Sequence, residues 1–142
     1  MPTVSEVQGK IQRMLQKLFG SVEIDSDGDF VFKVDSTVAF GRVADWGDGD
    51  VIFNVYAPVL LDVPITNELC RYVATESFVL GNLILQEASD GRTGELQYHY
   101  RIVANDVDES EVRFAVLAVA LTADELDGQL VRRFGGRVTI SG

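Results

Sequence analysis

The apolar residues of this chain change their spacing twice along the sequence. They recur every three or four positions from Val4 to Leu18, every two positions from Phe30 onward, and every three or four again after Asp108. Spacings of three and four put side chains on one face of a helix, and a spacing of two puts them on one face of a strand. The sequence therefore predicts an amphipathic helix, then the strands of a sheet, and then a second amphipathic helix.

Capping signals mark the ends of three predicted helices. Thr3 and Glu6 have the spacing of a capping box, in which each side chain satisfies a backbone donor of the other residue. Gly128 lies inside the last helix and leaves open whether that helix is one continuous rod. The predicted N-caps and ends of the helices are, in chain order, Thr3 and Gly20, Thr66 and Ser77, and Asp108 and Gly135.

Five strands are predicted between the first and last helices, over residues 30–34, 38–46, 51–61, 80–87 and 95–104. Turns rich in Asp and Gly, or the short second helix, separate them. The predicted fold is α+β, an antiparallel sheet with helices packed on one face in the order α-β-β-β-α-β-β-α. Residues 1–136 form one domain in this interpretation, and residues 137–142 form a short C-terminal tail.

Charge and cysteine content narrow the class of protein. With 12 Lys and Arg against 22 Asp and Glu, the 142 residues carry a formal net charge of −10, which disfavours nucleic acid as a partner. Cys70 is the only cysteine, so no disulfide can form within the chain. The longest apolar run, Phe114 to Leu121, is far shorter than the ~20 residues that cross a bilayer. We expect a cytoplasmic protein that makes no use of a membrane.

Residue types that often carry catalysis or bind metals have ordinary interpretations here. His99 is the only histidine and is predicted to be a solvated strand residue, whereas Cys70 is predicted to be a buried structural thiol. The run Asp25–Asp29 lacks the spacing of a calcium loop and is predicted to be a turn. Gly135 and Gly136 end a helix, whereas a phosphate-binding loop begins one. The sequence therefore predicts no catalytic residue, no metal ligand and no cofactor.

The two faces of the predicted sheet differ in composition. One face is apolar enough for helices to cover, and it carries Phe30, Phe32, Val34, Phe53, Val55, Leu83, Leu85, Leu96, Tyr98 and Tyr100. The other face places Val31, Tyr56 and Ile84 among polar and basic side chains. This mixture suits a partly wet protein-binding surface, and it also suits an ordinary solvated sheet face.

Two helical surfaces are further candidates for contacts with proteins. Lys10, Arg13 and Lys17 form a basic stripe on the first helix, which either docks an acidic partner segment or is simply solvated. The run from Phe114 to Leu121 is apolar on every side, so it is predicted to be buried all round, by the sheet and by a second surface such as a dimer partner. The candidate dimer contacts are Phe114, Leu117 and Leu121.

The last helix contains a specific pattern of residues. The segment Ala123-Asp124-Glu125-Leu126-Asp127, followed by Leu130 and by Phe134-Gly135-Gly136, resembles the "AD-x-LD…L…FGG" ending of the bacterial YbjN-like group. The stretch from Val59 to Leu69 and the segment Phe78–Leu83 are similar to other parts of that family pattern. The group forms part of a wider superfamily that includes the type III secretion chaperones, and the resemblance implies their fold.

The resemblance also implies a function. Type III secretion chaperones are non-enzymatic, dimer-forming modules that hold a segment of another protein in a non-globular state. None of the similar motifs is catalytic, and they mark packing positions, so no binding residue is carried over from the family. We therefore expect a homodimeric chaperone or adaptor that binds a peptide or protein. The candidate partner-binding residues are Lys10, Arg13, Lys17, Val31, Tyr56 and Ile84.

A second hypothesis belongs to a different class of protein. The last helix lies against a curved sheet in this interpretation and leaves a pocket for a small apolar ligand. Tyr98, Tyr100 and Trp46 would then line the cavity. It predicts one enclosed pocket and a folded state that the ligand stabilises.

Overall fold

The computed structural model describes residues 2–138, which form three helices and one six-stranded sheet. The α+β prediction is confirmed, with an antiparallel sheet and helices on one face. None of the helices in the described range is long and apolar enough to cross a membrane. The elements are α1 (Val4–Phe19), β1 (Val22–Ile24), β2 (Phe30–Val34), β3 (Thr37–Gly47), β4 (Asp50–Pro64), α2 (Asn67–Thr75), β5 (Asn82–Glu87), β6 (Thr93–Val103) and α3 (Glu109–Phe134).

The helices begin where the capping residues place them. Thr3 accepts a hydrogen bond from the backbone N–H of Glu6, and Thr66 accepts one from the backbone N–H of Leu69. Asp108 begins α3 with a complete capping box. Such caps satisfy backbone donors that a helix leaves free at its first turn. The helix α3 then continues for 26 residues without interruption, so Gly128 does not break it.

The sheet has the order β1-β2-β3-β4-β6-β5, and every pair of neighbours is antiparallel. The chain forms a meander as far as β4, passes through α2 to the far edge at β5, and returns as β6 beside β4. The predicted order lacks β1, because three residues are too few to show an alternating pattern. The register of β4 with β6 shifts on both sides of Leu60. Such irregularities bend a strand and increase its local twist, here within the 15 residues of β4.

The core lies between the sheet and the helices α1 and α3. The side of the sheet that these helices cover is called the inner face here, and the opposite side the outer face. All ten residues predicted for the core face are buried or packed against buried residues, so that prediction is confirmed. The helices contribute Val7, Ile11 and Leu15 from α1 and Val112, Val116, Val119, Ala123 and Leu130 from α3. Burial of this apolar area is the main favourable term in folding.

Three sequence-based expectations about burial are wrong. Cys70 is exposed, because the short helix α2 buries only Leu69. His99 is buried, at 7% exposure, although Gln97 and Arg101, which share its face of the strand, are polar. The run that was expected to be buried all round is covered on one side only: among the described residues, Phe114 remains 54% and Leu121 64% exposed. Apolar composition predicts burial there, but no part of residues 2–138 packs on this face of the helix.

The segment after α3 returns to the sheet. The backbones of Arg137 and Leu61 exchange two hydrogen bonds of 2.9 and 2.7 Å, and Arg137 Nε lies 2.7 Å from Asp62 Oδ2. Arg137 thus pairs with β4, although it belongs to the predicted tail. Residues 139–142 of that tail lie outside the described residues, and the boundary at 136 stays a prediction.

Candidate functional site

A row of three rings crosses the middle of the outer face. Phe40 on β3, Tyr56 on β4 and His99 on β6 lie directly opposite one another in the strand register. The rings of Phe40 and Tyr56 are 5.2 Å apart and nearly parallel, and those of Tyr56 and His99 are 4.8 Å apart and nearly parallel. Cross-strand aromatic neighbours of this kind stabilise a sheet and fix its register. These three residues are called the aromatic row.

A buried carboxylate holds one side of the aromatic row in place. Asp29, which is 1% exposed, accepts hydrogen bonds from Arg42 Nε at 2.6 Å and from the Tyr56 hydroxyl at 2.6 Å. Its backbone N–H donates to Asp25 Oδ1, so the predicted turn at 25–29 is what positions this carboxylate. Burial and the Asp29 hydrogen bond raise the pKa of the Tyr56 hydroxyl, and the same carboxylate raises the pKa of Arg42. A charge-assisted bond of this type is stronger than one between neutral groups.

Amide side chains hold the other end of the aromatic row. His99 Nδ1 lies 3.1 Å from Asn54 Nδ2, and His99 Nε2 lies 2.8 Å from Gln97 Oε1. Because the amide nitrogen of Asn54 donates, Nδ1 accepts and Nε2 carries the proton. Burial and the nearby Arg101 cation lower the pKa of His99 to about 4. The imidazole is therefore neutral at physiological pH, and both of its nitrogens are engaged.

The hydrogen-bonded chain continues beyond the histidine. Gln97 Nε2 donates to Glu95 and, at 3.3 Å, to Gln86 Oε1 on the neighbouring strand. Asn54 Oδ1 is buried and has no hydrogen-bond partner among residues 2–138. Within the same range, no three His, Cys, Asp or Glu residues are arranged to hold a metal ion. The arrangement orders side chains across four strands and supplies a rigid surface with aromatic and polar groups.

The structure brings three of the predicted partner-binding residues to one face. Tyr56 belongs to the aromatic row, Val31 pairs with Phe40 at one end of the row, and Ile84 pairs with Gln97 on the far strand. Val31, Tyr56 and Ile84 are all half-buried. Whether a partner contacts them stays a prediction.

The basic stripe on α1 is a separate surface. The helix α1 buries Val7, Ile11 and Leu15 in the core on the inner side of the sheet. Lys17 lies 3.3 Å from Glu109 and remains exposed, while Arg13 is exposed and Lys10 half-buried. A single short segment of a partner therefore cannot contact both the basic stripe and the outer face.

The candidate dimer contacts lie on one face of α3. Phe114 and Leu121 are exposed and Leu117 is half-buried, and their spacing of three and four aligns them along the helix. Phe114 and Leu121 point away from the buried stripe of α3, whereas Leu117 packs against the edge of the core.

The pocket hypothesis is only partly compatible with the structure. A groove between the loop before β5 and the helix α3 is lined by Phe78, Tyr98 and Leu126, among others. Trp46 does not line it, since it lies beside the β3–β4 turn with 76% of its surface exposed. The expectation that Trp46 lines an internal cavity is therefore wrong.

Sequence reasoning missed several residues of the outer face. The sequence indicates only a turn at Asp29, and Phe40 carries no motif of its own. Their importance depends on the pairing of Phe40 with Tyr56 and of Phe30 with Gly41, which brings Asp29 beside Arg42. The alternation of the strands is the signal that could have placed Phe40 on the face of Tyr56.

Comparisons with known proteins give a consistent result. Residues 5–142 match a family model described as "T3SS (YopN, CesT) and YbjN peptide-binding chaperone 1", called TY-Chap1. No curated protein matches the sequence.

Two solved structures have a similar fold. The crystal structure of YbjN, a putative transcription regulator from E. coli, is 12% identical with a TM-score of 0.61, over 89% of this chain and 93% of that one. The Yersinia pestis type III secretion chaperone SycH, in complex with a stable fragment of YscM2, is 12% identical with a TM-score of 0.54, over 87% of this chain and 99% of that one. At this identity both comparisons establish the fold.

Proposed function

This chain belongs to the TY-Chap1 family of type III secretion and YbjN peptide-binding chaperones, and from that premise we propose that it binds and holds an extended segment of a partner protein. It acts in the cytoplasm and without catalysis. The similar SycH structure contains a fragment of another protein, YscM2, which supports a protein segment as the ligand here.

The ordered side chains of the outer face are the main support for this proposal. The helices α1 and α3 cover the inner face, and the half-buried Phe40 and Tyr56 rings of the aromatic row lie on the opposite, outer face. Asp29 holds the central Tyr56 ring, and Asn54 and Gln97 hold the His99 ring at one end. Side chains that are already fixed lose little conformational entropy when a ligand binds, which favours binding. The client contacts Val31, Tyr56 and Ile84 in this proposal.

Two other surfaces complete the proposal. The exposed Phe114 and Leu121 and the half-buried Leu117 on α3 pack against the same residues of a second copy in this proposal, so that the protein is a homodimer. Lys10, Arg13 and Lys17 attract acidic segments of the partner that extend beyond the outer face. Both assignments rest on exposure and charge.

Selection from a random peptide library tests the proposal. The immobilised protein is expected to enrich peptides that bind in solution, measured by fluorescence anisotropy of the synthesised peptides. Ile84→Asp places a charge on the half-buried outer face and should weaken binding at least about tenfold. Tyr56 is a poorer choice because its hydroxyl also holds Asp29.

Val79→Asp is the matched control for Ile84→Asp. Val79 is fully exposed just before β5, so the same charge change there should leave binding unaltered. Failure to select any binding peptide contradicts the function. Peptides that bind Ile84→Asp as tightly as the unaltered protein contradict the choice of the outer face.

The groove lined by Phe78, Tyr98 and Leu126 supports a second candidate function, the binding of a small apolar ligand. Such a ligand would raise the midpoint of thermal unfolding in proportion to the logarithm of its concentration. A fluorescence-monitored thermal scan with a set of medium-chain fatty acids and aromatic alcohols tests it. Unchanged midpoints throughout would remove this alternative.

A further inference from the structure

Three cross-strand rows lie next to one another on the outer face. The strand register places the apolar Ala44, Ile52 and Val103 in one row and Arg42, Asn54 and Arg101 in the next. The aromatic row of Phe40, Tyr56 and His99 follows on the other side of the arginines. In each strand, neighbouring rows are two residues apart, which is about 6.5 to 7 Å. We call the first two rows the apolar row and the basic row.

The apolar row is open to solvent. Val103 is 62% exposed, Ala44 is exposed and Ile52 is half-buried. Trp46 follows Ala44 along β3 and is 76% exposed. Exposed apolar side chains grouped at one end of a sheet face mark a surface that another chain covers.

The basic row is a local reversal of charge in a chain of net charge −10. The charge of Arg42 is compensated by Asp29, which lies 2.6 Å away. Arg101 is exposed and forms no ion pair with any of residues 2–138. Its positive charge acts on the neighbouring aromatic row, where it contributes to the lowered pKa of His99. A guanidinium in this position is free to pair with a carboxylate from another molecule.

We propose that the outer face recognises an extended client segment in which an acidic residue stands between two apolar residues, each two positions away from it. The proposal rests on the proposed function and specifies its ligand. An extended chain that runs along the strands presents every second side chain to the sheet, with nearly the same spacing as the rows. Its apolar side chains then meet the apolar row and the aromatic row, and its carboxylate meets Arg101.

The same geometry excludes other segments. A wholly apolar segment would cover the Arg101 guanidinium without a hydrogen-bond partner, which is costly for a charged group. A basic residue in the central position would be repelled by Arg101 and would also lie beside Arg42. Specificity of this kind comes from the penalty on wrong partners as much as from the attraction of the right one.

A charge exchange tests the proposal. The peptide library is selected separately on the unaltered protein and on Arg101→Glu. Peptides from the unaltered protein are expected to carry Asp or Glu with apolar residues at both positions two away. Arg101→Glu should bind these peptides at least about tenfold more weakly. It should instead enrich peptides that have Lys or Arg at the central position.

Arg71→Glu is the matched control. Arg71 is exposed on α2, so the variant has the same net charge as Arg101→Glu but leaves the outer face unaltered. It should select and bind the same peptides as the unaltered protein, and circular dichroism should show that both variants are folded. Equal weakening by the two variants would show a general effect of charge and would overturn the proposal.

The outcomes also separate this inference from the proposed function. If peptides are enriched without a central acidic residue, or if Arg101→Glu binds them normally, the protein binds peptides but the inference is wrong. Binding that is lost in Lys10→Glu with Arg13→Glu, and not in Arg101→Glu, would overturn it in favour of the α1 stripe. If no peptide is enriched on any variant, the proposed function itself fails, and the inference fails with it.

Discussion

The inner and outer faces of the sheet are built from the same strands and are stabilised in different ways. Along β4, the residues Val51, Phe53 and Val55 point inward and are at most 2% exposed, while Asn54 and Tyr56 point outward. The inner face depends on the packing of apolar side chains, which has little directional preference. The outer face depends on a few directional hydrogen bonds around Asp29 and His99.

The difference shows why one face suits folding and the other suits binding. An apolar face must be covered, and here the chain itself covers it with α1 and α3. A face on which most of the buried polar groups bond to one another remains stable without a cover. It can therefore stay accessible to a partner and still keep its side chains in fixed positions.

The largest expected effect is on the inner face. Leu96→Ala removes a fully buried side chain and should lower the free energy of unfolding by about 3 kcal/mol, because a cavity remains. Val103→Ala, on the outward side of the same strand, should change it by less than about 0.5 kcal/mol, since Val103 is 62% exposed. Urea denaturation followed by far-ultraviolet circular dichroism measures both. Similar losses for the two variants would contradict the distinction between the faces.

The next largest effect on stability is expected for Asp29, the buried carboxylate of the outer face. Asp29→Ala removes the partner of Tyr56 and Arg42 and should cost about 2 kcal/mol of the free energy of unfolding. The effect is limited because Arg42 is half exposed and can be hydrated instead. Asp27→Ala is the control in the same turn, since its side chain is exposed, and it should have almost no effect. The same denaturation experiment compares them. An equal cost would show that the turn is responsible, and that the hydrogen bonds of Asp29 to Tyr56 and Arg42 are not.

The pH dependence of stability should report on His99. The unfolded chain protonates His99 near pH 6.5, whereas the folded chain protonates it only at about 4. The unfolded state therefore binds more protons between these values, and stability falls as the pH decreases from about 6.5 to 4, by about 2 kcal/mol.

His99→Gln isolates this contribution to stability. The variant keeps a polar side chain but has no group that titrates in this range, whereas the carboxylates titrate alike in both proteins. The difference in unfolding free energy between the two proteins, measured by denaturation at pH 7 and pH 4.5, should shrink or reverse at the lower pH. Parallel curves would show that burial does not hold the imidazole in its neutral form.

The smallest expected effect is that of one hydroxyl. Tyr56→Phe keeps the stacking with Phe40 and His99 but removes the hydrogen bond to Asp29, at a cost of about 1 kcal/mol. Tyr72→Phe is the control, because the Tyr72 hydroxyl makes no hydrogen bond within residues 2–138. The midpoint of thermal unfolding should fall for the first variant only. An equal fall in both variants would show that the hydrogen bond to Asp29 is not the cause.

Local signals explain what could be predicted from the sequence. The caps Thr3, Thr66 and Asp108 act within three residues, and alternation within β2 and β4 is visible without knowledge of the fold. The inner face followed from this alternation, and so did the outward positions of Tyr56 and Ile84. The strand β1 could not be found in the same way, since three residues carry no pattern.

The outer face could be predicted only in part, because its contacts join distant parts of the chain. Asp29 and Tyr56 are 27 positions apart, and Asn54 and His99 are 45 apart. Gln97 and Arg101 on the same face predict a solvated His99, but Tyr56 and Asn54 on the neighbouring strand help to bury it. The exposure of Phe114 and Leu121 was missed for the opposite reason, since composition cannot tell how many faces of a helix the chain covers.

The position of α3 in the chain has a consequence for synthesis. This helix packs on the inner face of β2, β3, β4 and β6. It is translated after all four strands. Until α3 has left the ribosome, Phe53 and Leu96 belong to a sheet with an uncovered apolar side, and such nascent surfaces are prone to aggregate. A protein that we propose to protect unfolded segments of its partners thus passes, each time it is made, through a stage in which it needs protection itself.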